Sequence, residues 1–387
     1  MTKSINELQS QTISWLRFPL IMCVIFIHNS QLGDTPYPLV STENISLALL
    51  ANYFRIWMSW VLTHISVPCF FVISGFLFFL KTPELTMDVY KTKMKKRFFT
   101  LLIPYIIWNI IPLFILIGIK LNKPLLHGWT WNQYANYIIQ MFTDHGFLEL
   151  FWKWNTWGGY YDNWLGFRVL SSGPYNLPLW YLRDLIIISV LTPILYILLK
   201  KFGKWLLALL VILYFGNITS PMPGTGTTVL LYFGTGAYLA INRRNIIVEF
   251  RKIEKPCYIL AIIFMLFATY YNGNRSLIGH YFYCGYILTG VVSAFNLASH
   301  LLENNKVKVH TILTSSVFFI YAFHTNWIVS IYDSILNKVL MLVGIDPINM
   351  ITYITTPFAK AAICIIVCIL IDRYFPKIGK LLTGNRS

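Results

Sequence analysis

Trp15-Leu16-Arg17-Phe18-Pro19-Leu20-Ile21-Met22-Cys23-Val24-Ile25-Phe26-Ile27-His28 is an apolar run that carries an arginine near its start and ends on a histidine. In a lipid environment a buried ionisable side chain is costly enough that its default reading is functional. Eleven residues separate Arg17 from His28, so on a helix the two fall within about 20° of one another and about 16 Å apart along the axis. One face would then carry a cation near one membrane surface and an imidazole toward the other. A second reading fits the same residues: Arg17 snorkels to the interface and His28 is an ordinary helix-end residue.

Working outward, the 387-residue chain is 56% hydrophobic and 12% charged, with 28 Phe, 24 Tyr and 13 Trp. Those proportions describe an all-α, polytopic integral membrane protein and exclude an ordinary soluble enzyme. At about 20 residues per crossing, about ten transmembrane helices are predicted near 13–30, 56–79, 98–119, 184–199, 204–217, 227–242, 256–271, 281–300, 312–333 and 350–371. An even number puts both termini on one side. With that side cytoplasmic, 21 of the 31 Lys and Arg residues fall inside and eight outside. The positive-inside rule therefore accounts for the net charge of +16. No basic stripe interleaved with aromatics is present, so no nucleic acid partner is expected. The first segment does not read as a cleaved signal peptide, because Arg17 interrupts its apolar run and no small-residue cleavage site follows. The six cysteines lie in apolar segments without a CxxC pair, so no metal site and no disulfide framework are indicated.

The chain reads as a single domain over 1–387, broken only by a long outer loop at about 120–183. That loop holds Trp129, Trp131, Trp152, Trp154, Trp157, Trp164, Tyr160, Tyr161 and Tyr175. Loops of this length are functional or carry short helices of their own. Its rings either stack on an acceptor such as a sugar or form an interfacial aromatic belt. On the other side, Lys91, Lys93, Lys95, Lys96 and Arg97 crowd into seven residues. They serve either as topogenic charge or as a site for a polyanionic cytosolic ligand.

These residues together resemble a known family. Arg17 followed by ten residues and His28 is similar to the R-x10-H signature of the membrane acyltransferase family 3. Three more segments carry the same likeness: Val67-Pro68-Cys69-Phe70-Phe71-Val72-Ile73-Ser74-Gly75-Phe76, Leu179-Trp180-Tyr181-Leu182, and Phe319-Ile320-Tyr321-Ala322-Phe323-His324. The basic run Lys95-Lys96-Arg97 leading to Pro104 fits too, and order and spacing agree from about 13 to 375.

The resemblance implies a membrane O-acyltransferase, acetyl being the expected group, located as a multi-pass protein in the bacterial inner membrane. It implies acyl-CoA (acetyl-CoA) as donor substrate, no tightly bound cofactor, and a carbohydrate or lipid-linked glycan as acceptor. On that reading His28 is the general base, although an acyl-histidine intermediate also fits. Arg17, Lys96 and Arg97 meet the donor's phosphates, with Ser74 beside the donor arm or simply allowing close helix packing. His324 and Tyr321, three residues apart, approach His28 from a neighbouring helix or only hydrogen-bond between helices. Trp180 stands at the acceptor entrance, and Arg183 and Asp184 either line that entrance or pair with each other's neighbours. His64, Asp333 and Lys360 lie near or inside spans with no role assigned. A glycan or small-solute transporter or flippase is the competing class, and so is an acyltransferase with a peptide or amino-acid acceptor. Release of CoA separates the transporter from the acyltransferases.

Overall fold

A computed structural model of the chain describes residues 4–29, 37–41, 45–82, 84–153, 155–162, 168–273, 276–342, 344 and 350–385. Helices dominate it. The first, α1 (Ile5–His28), starts at an N-cap where the Ser4 hydroxyl accepts from the Glu7 amide. A continuous helical stretch follows from α2 (Leu47–Arg55) through a π-helical segment (Ile56–Val61) and a 3-10 turn (Leu62–Ile65) into α3 (Ser66–Phe79). Next comes α4 (Met87–Arg97), a second π segment (Phe98–Leu102) and α5 (Ile103–Lys120), then α6 (Asn122–Leu126) and α7 (Trp131–His145). Strands β1 (Asn155–Asp162) and β2 (Arg168–Gly173) form an antiparallel hairpin. The rest is α8 (Trp180–Val190), α9 (Thr192–Phe202), α10 (Lys204–Phe215), α11 (Thr227–Ile241), α12 (Ile246–Arg251), α13 (Glu254–Tyr270), α14 (Leu277–Glu303), α15 (Thr311–Phe323), α16 (Trp327–Leu342), α17 (Met350–Tyr374) and α18 (Pro376–Thr383).

A helix overlaps each predicted span, but against the ten crossings expected only five helical stretches among the described residues have the required length and apolar character. Ile5–His28, Leu47–Phe79, Met87–Leu126, Leu277–Glu303 and Met350–Tyr374 are long and apolar enough to cross a bilayer. Leu177–Val190 and Thr192–Phe202 would form one more span, bent by 67°. The basic run before Arg97 extends the third stretch because Lys and Arg are good helix formers and Thr86 caps the start. The predicted span 312–333 is broken instead: α15 ends at Phe323 and α16 begins at Trp327. Its break has a local cause. The Nδ1 atom of His324 lies 3.0 Å from both the Ile320 and the Tyr321 carbonyl oxygens, and a histidine can satisfy terminal carbonyls in this way.

Prolines within helices leave a carbonyl four residues earlier without its usual donor, and the fold uses two of these as joints. Pro112 frees the carbonyl of Trp108, which accepts from Nδ2 of Asn176 at 2.9 Å. Pro357 frees that of Tyr353, which accepts from Nδ2 of Asn29 at 3.0 Å. The second joint ties the end of α1 to α17. α1 itself is central, packing against α3, α14, α15 and α17.

The tightest helix pair is α3 with α11, and two glycines make it possible. A Cβ on Gly75 would lie 2.0 Å from the Phe233 carbonyl oxygen, and one on Gly236 would lie 2.0 Å from that of Val72. Apolar burial gives no drive between helices in lipid, so this backbone approach carries the pairing. Gly236→Val is expected to force the helices apart, at a cost of about 3 kcal/mol or more. Loss of the monodisperse peak in detergent size exclusion, or a large drop in Tm, would be the readout.

The segment 120–183 does not stay wholly clear of the helices. Asn176 is 5% exposed, its Nδ2 also reaching the Ala322 carbonyl and its backbone amide bonding Oδ1 of Asn109. The Tyr105 hydroxyl donates to the Phe151 carbonyl. Of the aromatic residues, Trp131 and Trp152 are exposed and Tyr175 is half-buried. Trp154 and Trp164, and the side chains of Trp157, Tyr160 and Tyr161, lie outside the described residues.

Candidate active site

The face of α1 read from the sequence sorts in the structure into two groups of side chains. At the first, Arg17 is half-buried and within electrostatic reach of the Tyr181 hydroxyl, as is Arg97 at the end of α4. The Tyr181 hydroxyl is 3.0 Å from Oγ of Ser74 on α3. Its ring lies 4.7 Å from that of Phe71 and 6.0 Å from that of Tyr321. Arg97 also covers the Phe78 ring at 5.4 Å. Two guanidinium groups on two helices are therefore within electrostatic reach of a phenol that is paired with a serine across two others. Arg17, Arg97 and Ser74 thus share Tyr181 as a neighbour, while Lys96 is exposed on α4.

At the second group, the rings of His28 and His324 are 5.2 Å apart, centroid to centroid, tilted by 48°. The two imidazoles differ in access. His324 is 1% exposed, whereas His28 is exposed. His28 is thus the accessible ring of the pair and His324 the buried one. The carbonyls at Nδ1 of His324 make that nitrogen the N–H donor, so Nε2 is the lone-pair nitrogen. Nε2 is buried, with no hydrogen-bonding atom in range among the described residues. Toward the same pair comes His64 from the 3-10 turn, within electrostatic reach of His28 and 5.7 Å from the Tyr283 ring. π-Helical segments recur at functional sites, and both segments here adjoin a site residue, one preceding His64 and the other following Arg97.

Other expected site residues are placed as scaffold. The Tyr321 hydroxyl donates to the Pro178 carbonyl at 2.6 Å and accepts from the Leu182 amide at 3.3 Å, so it holds the start of α8. Arg183 and Asp184 are buried and paired at 3.2 Å. Arg183 further donates to the Trp152 carbonyl at 2.6 Å and the Ser172 carbonyl at 3.3 Å, pinning the loop to α8. Trp180 is half-buried beside Tyr181. Among the described residues no group of His, Cys, Asp and Glu is arranged to hold a metal ion. The side chain of Asp333 lies outside the described residues.

Sequence reasoning gave no role to Tyr181, Asn176, His64 or Lys360. Tyr181 stands within a quoted motif but is outwardly one tyrosine among many. His64 and Lys360 carried the one available signal, an ionisable group in an apolar segment.

Comparison with known proteins identifies the family. Residues 11–373 match a family described as an acyltransferase domain, acyltransferase 3. A curated relative, the succinoglycan biosynthesis protein ExoH of Rhizobium meliloti (strain 1021), is 25% identical over 241 residues, which cover 61% of this chain and 55% of the relative. The chain thus matches about half the length of that relative. No solved structure matches. With nearly all of its length matched and the Arg17 and His28 pair in place on α1, the chain belongs to the membrane acyltransferase family 3.

Proposed function

We propose that this acyltransferase takes an acyl group, acetyl in the first instance, from acyl-CoA at the cytoplasmic face and transfers it to a hydroxyl of a surface carbohydrate or lipid-linked glycan. The observation that carries the reading is the separation of two chemistries along α1. Arg17 and Arg97 converge at one end, and an accessible imidazole lies about 16 Å away at the other. Guanidinium groups suit phosphates, so the first place holds the nucleotide end of CoA while its flexible arm runs toward His28. Neutral His28 takes the proton as the acceptor oxygen attacks the thioester carbon. Collapse of the adduct breaks the carbon–sulfur bond, and the imidazolium returns the proton to the CoA sulfur. His324, beside His28, limits the directions that ring can take.

On this reading the protein is a multi-pass protein of the bacterial inner membrane, with about ten spans and both termini cytoplasmic. A cysteine replacing Leu126, 78% exposed, in an otherwise cysteine-free protein should react with an impermeant maleimide from outside only. Reaction from the cytoplasmic side alone would reverse the donor path.

Purified protein given labelled acetyl-CoA and membrane-extracted glycan should release free CoA thiol and pass the label to the glycan. A deletion strain should lose the corresponding acyl mass from its surface glycan. The bent pair α8 and α9 is a feature that suits a transporter, since discontinuous helices are common there. Solute movement without CoA release would decide for that class.

A further inference from the structure

When the basic residues are divided between the two sides of the membrane, 21 inside and eight outside, the two of the 31 that remain are Arg17 and Lys360. Lys360 lies in α17 on the stripe that faces the bundle. Seven residues before it is fully buried Tyr353 and four after it is fully buried Cys364, spacings that share one helix face. That face meets the end of α1. On that face Asn29 bonds the Tyr353 carbonyl at 3.0 Å and the Phe26 ring lies 6.1 Å from Tyr353, while Phe26 also reaches round to the exposed Phe358 on the far side of α17, at 5.9 Å.

These contacts run in opposite senses along the two chains, so α1 and α17 are antiparallel. With Tyr353 level with Asn29, the backbone of Lys360 sits about 10 Å farther along, near the level of Met22 and between Arg17 and His28. Helical side chains lean toward the N-terminus of their own helix, which for Lys360 is the Tyr353 end and so the His28 end. His28 and His324 both lie within electrostatic reach of Lys360. The fold thus places a third cation between the group that would hold the donor's phosphates and the group that would accept a proton.

We propose that Lys360 is a catalytic residue whose ammonium stabilises the oxyanion formed on the thioester carbonyl. This inference rests on the acyltransfer reading above. As the acceptor hydroxyl oxygen bonds to the thioester carbon, its proton passes to His28 and the carbonyl π pair moves onto oxygen. The negative charge develops in a site walled off by helices, where an oriented cation counts for more than in water. When the carbonyl re-forms, the carbon–sulfur bond breaks, the CoA thiolate leaves and His28 returns its proton to sulfur. Lys360 neither gives nor takes a proton in this sequence. Its position nearer to the centre of the span than His28 matches an attack in which the acceptor enters from the His28 side and the donor from the Arg17 side.

The test uses full-length protein in detergent, with K360M and K360R compared with wild type for kcat, KM and CoA affinity by calorimetry. K360M keeps the length of the side chain and removes the charge. It should lower kcat about 10²- to 10³-fold while CoA affinity stays within about threefold, and K360R should recover much of the loss. Turnover of K360M near that of wild type overturns the proposal. So does a loss confined to CoA affinity or KM, which would make Lys360 a donor-binding cation, and so does K360R folded but as inactive as K360M. K360Q takes the place of K360M should the latter not be recovered as a monodisperse protein, with the same outcomes deciding. If wild type releases no CoA from any acyl-CoA offered, the parent reading has failed. Wild-type activity with an indifferent K360M removes only the oxyanion role.

Discussion

His28→Gln is expected to lower acyl transfer about 10²- to 10⁴-fold while leaving CoA affinity unchanged. Glutamine keeps much of the size and a donor and acceptor, but it cannot take a proton at neutral pH. The prediction singles out His28 rather than His324 because of access. Both imidazoles are at one place, 5.2 Å apart, yet of the two only His28 is exposed and so within reach of an arriving hydroxyl. His324 is 1% exposed and its Nδ1 is committed to two backbone carbonyls. His324→Gln should therefore lose less activity and more stability, since it also removes the group that ends α15. The pH profile adds an independent check. A base must be deprotonated to act, so wild-type kcat should fall on the acid side through one ionisation, and the residual rate of His28→Gln should lack that limb. Near-normal turnover of His28→Gln beside an inactive His324→Gln would exchange the two roles.

What could be read from the chain follows from the range of the interactions involved. The alignment of Arg17 and His28 needed only the 3.6-residue period of one helix. Gly75 as a packing residue was likewise legible, since small residues mark close helix contact in membranes. The partner of Gly75 is another matter: Gly236 lies 161 residues on, and nothing local says that Val72 and Gly236 meet. The same holds for His324 against His28, and for Asn29 and Asn176, whose amides take the carbonyls that Pro357 and Pro112 free. Each proline announced a free carbonyl but not its donor. The break after Phe323 had no Gly or Pro to signal it, because a side chain of the last turn performs the termination. Arg183 and Asp184 read from sequence either as an entrance or as partners for neighbouring groups, because they are charged and close to a loop. In the fold they satisfy each other and two loop carbonyls, a use that charge alone does not distinguish from binding.

Arg17→Ala should weaken CoA binding by about 10- to 150-fold, the equivalent of about 1.5 to 3 kcal/mol for a direct charge-assisted contact to phosphate. The size of the effect depends on whether Arg17 works alone. Arg97 shares its surroundings through Tyr181, so the two guanidinium groups can meet the same anion. If they do, the double variant should lose less than the sum of the single losses, because residues on one ligand are coupled. Lys96 provides the contrast. It is next to Arg97 in sequence but exposed, and exposed charges contribute little and are screened by salt. Lys96→Ala should therefore change CoA affinity by no more than about twofold, and less at high salt. Arg17→Lys separates charge from geometry: lysine keeps the cation but loses the planar fork that binds two phosphate oxygens at once, so it should recover only part of the affinity. Titration calorimetry with CoA and with dephospho-CoA would further show which phosphate is held. Unchanged affinity in Arg17→Ala would reduce Arg17 to a residue snorkelling toward the membrane surface, and the donor would then have to enter past Arg97 alone.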